Sequence, residues 1–150
     1  YYEVDYYMID DTGLQALLQQ SNREMYLDYV LNYFKMLDPV TIPVRISEAR
    51  TDQDEQTLGH VLSAGFTVYV LDSVLRESGI TVRKGDVIAT KGIFGELARM
   101  KDEGYDVFTK PAFVRLVQSV SPHTYVLQQA NVLEWAIVVS DTDVVFRYYI

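Results

Sequence analysis

Between Pro39 and Ser47 apolar and polar positions alternate without interruption: Val40, Ile42, Val44 and Ile46 fall on one side, and Thr41, Pro43, Arg45 and Ser47 on the other. A period of two is the mark of a half-buried strand. Pro43 has no N–H to give to a ladder, so this strand is expected at a sheet edge or with a bulge. Upstream the period changes. Tyr26, Val30, Tyr33, Phe34 and Leu37 recur at steps of three and four, which predicts a helix ending at Asp38-Pro39, where the proline disfavours helical geometry in the residue before it. Leu27 and Leu31 widen the apolar stripe, so this helix is expected to pack against two neighbours. Thr12 and Gln15 have the spacing of a capping box ahead of Leu14, Leu17 and Leu18, placing a helix start near residue 12. Propensity leaves open whether Ser21-Asn22 divides that helix.

Beyond a polar loop at 48–57, Leu58, Val61 and Leu62 suit a short helix and residues 66–71 (Phe-Thr-Val-Tyr-Val-Leu) a strand. Asp72 as N-cap and Gly79 as C-cap bracket one or two helical turns. Residues 78–88 then read as two short β-runs joined by a Lys84-Gly85-Asp86 turn, with Ile80 and Val82 alternating against Thr81 and Arg83 before Val87-Ile88 resumes the apolar run. In this hairpin Asp86 is expected to tie local backbone groups. The segment between Gly92 and Gly104 fits a short helix or a long loop equally, and strands are expected at 105–108, 113–120, 124–128, 132–139 and 144–150. Roughly seven strands behind a helix predict an α+β, mainly β fold: a small antiparallel β-barrel or sandwich with an N-terminal helical arm. Residues 1–38 form the arm and helix of this division and residues 39–150 the barrel-like domain, together one compact domain.

A chain of 150 residues, 49% hydrophobic and 23% charged, can bury about two-thirds of its unfolded surface without metal or disulfide. It contains no cysteine, which excludes a disulfide framework, a thiolate zinc site and a cysteine nucleophile, and allows a cytosolic or intravirion setting. No apolar run reaches the length of a membrane span, and the opening segment lacks the basic and apolar regions of a signal peptide. An opening without methionine points to trimming, processing or an internal start. The net charge of −8 opposes non-specific grip on a phosphate backbone, and Arg83-Lys84 is the one adjacent basic pair.

Signatures of catalysis are sparse. The chain has neither a Gly-x-Ser-x-Gly elbow nor a phosphate loop, and Gly92-x-x-Gly95 lacks the lysine and spacing of one. His60 and His123, with Asp52, Asp54 or Glu55, offer a metal set only if folding brings them together. Asp52-x-Asp54-Glu55 and Asp141-x-Asp143 could hold a hard cation through oxygen, and turn chemistry with solvated loop charge is the favoured reading of both. No catalytic residue, cofactor or metal is therefore expected. Tyrosine carries more information: of twelve, Tyr1, Tyr2, Tyr6 and Tyr7 lie in the opening segment and Tyr148 and Tyr149 at the close. Large amphipathic rings at chain ends suit subunit contacts, the competing reading being that both ends fold back as strands on the domain's own core.

The order of a helix, residues 66–71, residues 79–88 (Gly-Ile-Thr-Val-Arg-Lys-Gly-Asp-Val-Ile) and residues 104–107 (Gly-Tyr-Asp-Val) resembles small β-barrel proteins of tailed-phage necks, the head-tail connector or stopper class. In that class a strand with an x-Gly-Asp-x-Ile turn precedes a Gly-Tyr-x-Val-like strand. The resemblance covers residues 66–108. It implies a structural virion protein, assembled in the host cytoplasm, that forms a homo-oligomeric ring at the neck or tail junction. Its partners would be other copies, neighbouring virion proteins and DNA that passes without specific binding, with no membrane. Tyr1, Tyr2, Tyr6, Tyr7, Arg83, Lys84, Tyr148 and Tyr149 would then lie at interfaces. The alternatives are a non-viral β-barrel adaptor and a carboxylate-dependent hydrolase built around residues 48–57.

Overall fold

The computed structural model describes residues 2–9, 23–46, 66–103, 112–141 and 143–144. Six strands close into an antiparallel barrel: β1 (Tyr2–Tyr7), β2 (Val40–Ile46), β3 (Thr67–Leu71), β4 (Val87–Thr90), β5 (Val114–Leu127) and β6 (Ala130–Val139), in the order β1-β2-β3-β6-β5-β4. Closure is made by β1, which pairs with β2 on one side and β4 on the other. Among the described residues three helices are interposed, α1 (Arg23–Lys35), α2 (Asp72–Ser78) and α3 (Ile93–Glu103). The predicted mainly β barrel is thus the fold. Its opening segment, expected as an arm, is instead a barrel strand whose four last residues are all buried.

Two apolar layers account for that burial. Val4, Tyr6, Ile42, Val44, Val68, Val70, Ile88, Val117, Ile137 and Val139 fill the barrel interior. On the outside, Tyr7, Val87, Ala89 and Val114 meet Val30 and Phe34 of α1 and Ile93, Phe94 and Leu97 of α3. Both faces of β4 are therefore apolar, and the last four residues of β1 are all buried, Asp5 among them, although Tyr2 to Tyr6 alternates apolar with acidic positions. Phe34 and Phe94 stack with centroids 4.3 Å apart, and Tyr7 meets both edge-on. The helix predicted to touch two neighbours does so, in the barrel wall and α3; its predicted start near residue 12 lies outside the described residues.

The alternation that begins at Val40 is a strand, described over Val40–Ile46, with Ser47 outside the described residues. Pro43 pairs with Glu3 of β1, while the β2–β3 ladder holds Arg45 and Ile46, so among the described residues the proline sits where β2 has no second strand neighbour. The 78–88 hairpin is a correction. Only Val87–Thr90 is strand; residues 80–83 belong to no strand, and the turn donates Gly85 N–H to Val117 O and takes Val117 N–H at Asp86 O, across to β5. Asp72 is the first helical residue rather than a cap: Leu71 occupies the cap without a side-chain bond, and the Asp72 carboxylate accepts from Trp135 Nε1 at 2.9 Å. Gly79 ends α2 as predicted, at φ 70°. Between Gly92 and Gly104 the helix is the outcome, α3 over Ile93–Glu103, with Gly104 outside the described residues.

The strands expected at 113–120 and 124–128 are one, β5, which runs straight through Ser121-Pro122-His123. It pairs with β6 from Val117↔Val139 to Leu127↔Ala130, with one extra residue between Val117 and Ser119. Gln128 and Gln129 make the reversal, at φ 50° and 67°. The predicted strands at 105–108 and 144–150, apart from Val144 in a turn, lie outside the described residues.

Candidate interaction surface

The β5–β6 ladder continues past the barrel. The β4–β5 ladder stops at Leu116 and the β3–β6 ladder at Glu134, so among the described residues the strand positions of 124–133 pair only with each other. From Gln118 to Leu127, β5 has no strand on its other side among the described residues. The result is a projecting two-stranded arm. Val126 and Leu127 near its tip are 68% and 56% exposed, and Val120 is exposed lower down. From Leu116 to Leu133 the sequence contains no Asp, Glu, Lys or Arg, in a chain of net charge −8. An uncharged arm with exposed apolar residues on an acidic protein can meet a partner without the repulsion felt elsewhere on the surface.

A cleft of about 330 Å³ lies at the root of the arm, lined by Pro43, Arg45, Tyr69, Leu71, Val74, His123, Tyr125 and Glu134. β2, β3, β6 and β5 supply its outward-facing positions, with Arg45 opposite Tyr69 and His123 opposite Glu134 in the ladders. Glu134 is 3% exposed. Its Oε1 accepts from Arg45 Nη2 at 2.6 Å and faces His123 Nδ1 at 2.8 Å. The Arg45 guanidinium lies 4.1 Å from the centre of the Tyr69 ring, and Tyr69, His123 and Tyr125 follow at 5.5 and 6.1 Å. A buried carboxylate needs such a cation, because desolvation without a partner costs several kcal/mol.

The residues expected at interfaces divide. Tyr6 and Tyr7 are corrected: they are 1% and 5% exposed inside this chain, where the closing strand β1 requires both its faces. Tyr6 donates its hydroxyl to Asp86 Oδ2, which also receives Arg83 N–H at 3.2 Å, while Asp86 Oδ1 receives Ile9 N–H at 3.1 Å. Asp86 therefore ties its own turn, as expected, and a strand eighty residues away as well. Burial, reinforced by the Asp86 carboxylate, raises the Tyr6 phenol far above its ordinary value; burial and then the charge of Asp5 push Tyr7 up to about 12. Arg83 reaches Ile9 O and Asp86 Oδ1, both at 3.4 Å, with its side chain half exposed; Lys84 is exposed at the turn, and Tyr2 at the outer end of β1. Tyr1, Tyr148 and Tyr149 lie outside the described residues, as do His60, Asp52, Asp54 and Glu55.

Asp143 serves as an internal anchor. It accepts from Val114 N–H at 2.6 Å and lies 3.4 Å from Arg115 Nε; the same buried guanidinium donates to Ser140 O and Asp141 O at 2.7 and 2.8 Å. Burial lowers the Arg115 pKa, opposed by Asp143 and Asp141. Among the described residues no cluster of three or more His, Asp or Glu has metal-site geometry, and no helix is long and apolar enough to cross a membrane. Sequence patterning missed Arg45, Tyr69, Tyr125 and Glu134, although Glu134 is the one charge in the apolar run 132–139. No family model matches the chain, and neither the curated proteins nor the solved structures contain a match.

Proposed function

We propose that this protein is a structural assembly component, and that it works as the resemblance over residues 66–108 implies: as a ring-forming virion protein of the tailed-phage neck. The observation that carries this reading is the projecting, uncharged β5–β6 arm. A closed barrel has no open sheet edge to offer a partner, so lateral contact falls to whatever leaves the barrel. Here that is an arm with exposed Val120, Val126 and Leu127. A contact between one copy's arm and a different surface on the next copy is heterologous, and such contacts close into rings when the rotation permits. In that setting the acidic remainder of the surface repels passing DNA.

Sedimentation velocity on the intact protein, with the double variant Val126→Asp/Leu127→Asp alongside, tests this. The parent is expected to sediment as a closed oligomer and the variant as a monomer with an unchanged circular dichroism spectrum. A parent that stays monomeric at concentrations of order 100 μM removes the ring reading, since specific interfaces generally bind more tightly than that. A second reading rests on the side of β5 beyond Leu116 that has no strand partner among the described residues: an adaptor that captures an extended peptide by strand addition. It predicts a monomer that binds peptide.

A further inference from the structure

An interlocking contact takes a receptor as well as an arm. The cleft at the arm's root is the poorer fit, because it is walled by the arm's own His123 and Tyr125 and already holds the Arg45–Glu134 ion pair. A larger concavity, a groove of about 570 Å³, lies between α1 and α3. Leu31, Phe94 and Ala98 give it apolar walls and Asn32 an uncharged amide, and its two charged residues, Asp28 and Lys35, have opposite signs. On a chain of net charge −8 it is a neutral recess.

Position favours the groove as well. Its two helices pack over Tyr7 of β1 and over Val87 and Ala89 of β4, and in the closed strand order β1 lies three places from β6 in either direction. Groove and arm therefore occupy different sides of the barrel, as a contact that repeats around a ring demands. Gly95 adds a second observation. It lies within α3, where glycine is a poor helix former, yet an added Cβ would meet no atom within 4 Å. The missing side chain lets no two elements of this chain approach; it leaves the groove open.

We propose that the tip of one copy's arm seats in the α1–α3 groove of the next copy, so that the groove's ligand is a second copy of this chain. The inference rests on the assembly reading above and supplies its receptor. Val126 and Leu127, both exposed, meet Leu31, Phe94 and Ala98, and the amides of Gln128 and Gln129 are matched in kind by Asn32. From Val117 to Leu133 the arm brings no Asp, Glu, Lys or Arg, so it enters without the repulsion between two acidic chains and without an ion to desolvate.

Because the chain has no cysteine, an introduced pair reports a single contact. On mild oxidation Leu127→Cys/Ala98→Cys should give a ladder of disulfide-linked species that passes the dimer and stops at the copy number sedimentation gives for the parent. Neither single variant should pass the dimer. Gly95→Glu, which fills the groove, should sediment as a monomer while its urea midpoint holds or rises, since glutamate is the better helix former and suits the first turn of α3. The same charge at exposed Ser73 of α2, outside the groove, should leave the oligomer intact. A Gly95→Glu protein that still assembles, a Ser73→Glu protein that does not, a double cysteine variant that stops at the dimer, or a disulfide closed within one copy overturns the proposal. An oligomer abolished by Val126→Asp/Leu127→Asp but indifferent to Gly95→Glu keeps the ring and removes this receptor; a monomeric parent removes both.

Discussion

Tyr6 shows how one polar atom can be decisive inside an apolar barrel. Its ring fills the interior with Ile42 and Ile88, and its hydroxyl reaches Asp86, a buried carboxylate with backbone donors from Arg83 and Ile9. Tyr6→Phe keeps the ring and removes one donor from a buried charge, so it is expected to cost about 1–3 kcal/mol. Tyr6→Ala also empties the ring's space and should cost about 3–5 kcal/mol or more. Urea denaturation of both variants checks the order; a Tyr6→Phe variant as stable as the parent would show that the hydroxyl contributes nothing beyond packing. The Asp86 link was half legible: the turn signal is local, but a bond from residue 6 to residue 86 is set by barrel closure, which no local pattern records.

At the level of elements, legibility followed how far the pattern was shaped by one face. β2 has one buried face and its alternation is plain, whereas β4 is buried on both faces and lacks one, and the six residues of β1 alternate apolar with acidic positions yet end buried on both sides. β5 was cut in two because Ser121-Pro122 carries turn residues, yet the reversal is made by Gln128 and Gln129, both at positive φ, which glutamine tolerates poorly. A two-residue hairpin loop of this kind prefers Asn-Gly. Gln128→Asn/Gln129→Gly is therefore expected to stabilise the protein by about 0.5–1 kcal/mol through relief of that geometry, seen as a raised urea midpoint at unchanged slope. At Gly79, φ 70° with no atom near its absent Cβ, substitution by Ala should cost about 1–2 kcal/mol from the backbone alone.

For the whole molecule, Tyr6 and Tyr7 set an alkaline limit. Unfolded tyrosine ionises near pH 10, while in the folded barrel Tyr7 ionises at about 12 and Tyr6 higher still. The unfolded chain thus loses protons first as pH rises. Their contribution is complete below pH 10 and should decline above it by about 1.4 kcal/mol per pH unit for each phenol still protonated in the fold. Denaturant midpoints between pH 9 and 12 measure this, and Tyr7→Phe should flatten the decline. The cleft was hardly legible at this scale, because Arg45, Tyr69, His123, Tyr125 and Glu134 are gathered by three ladders from four strands. The extra residue between Val117 and Ser119 has a larger consequence than its size suggests. In a strict alternation His123 and Tyr125 share the parity of inward-facing Val117; the inserted residue inverts it and turns both rings outward, opposite Glu134 and Val132. Gln118 thus works as a phase shifter, letting the barrel and its arm obey opposite inside-outside rules on one continuous strand. Deleting it would leave the arm's composition untouched and rotate the imidazole away from the carboxylate.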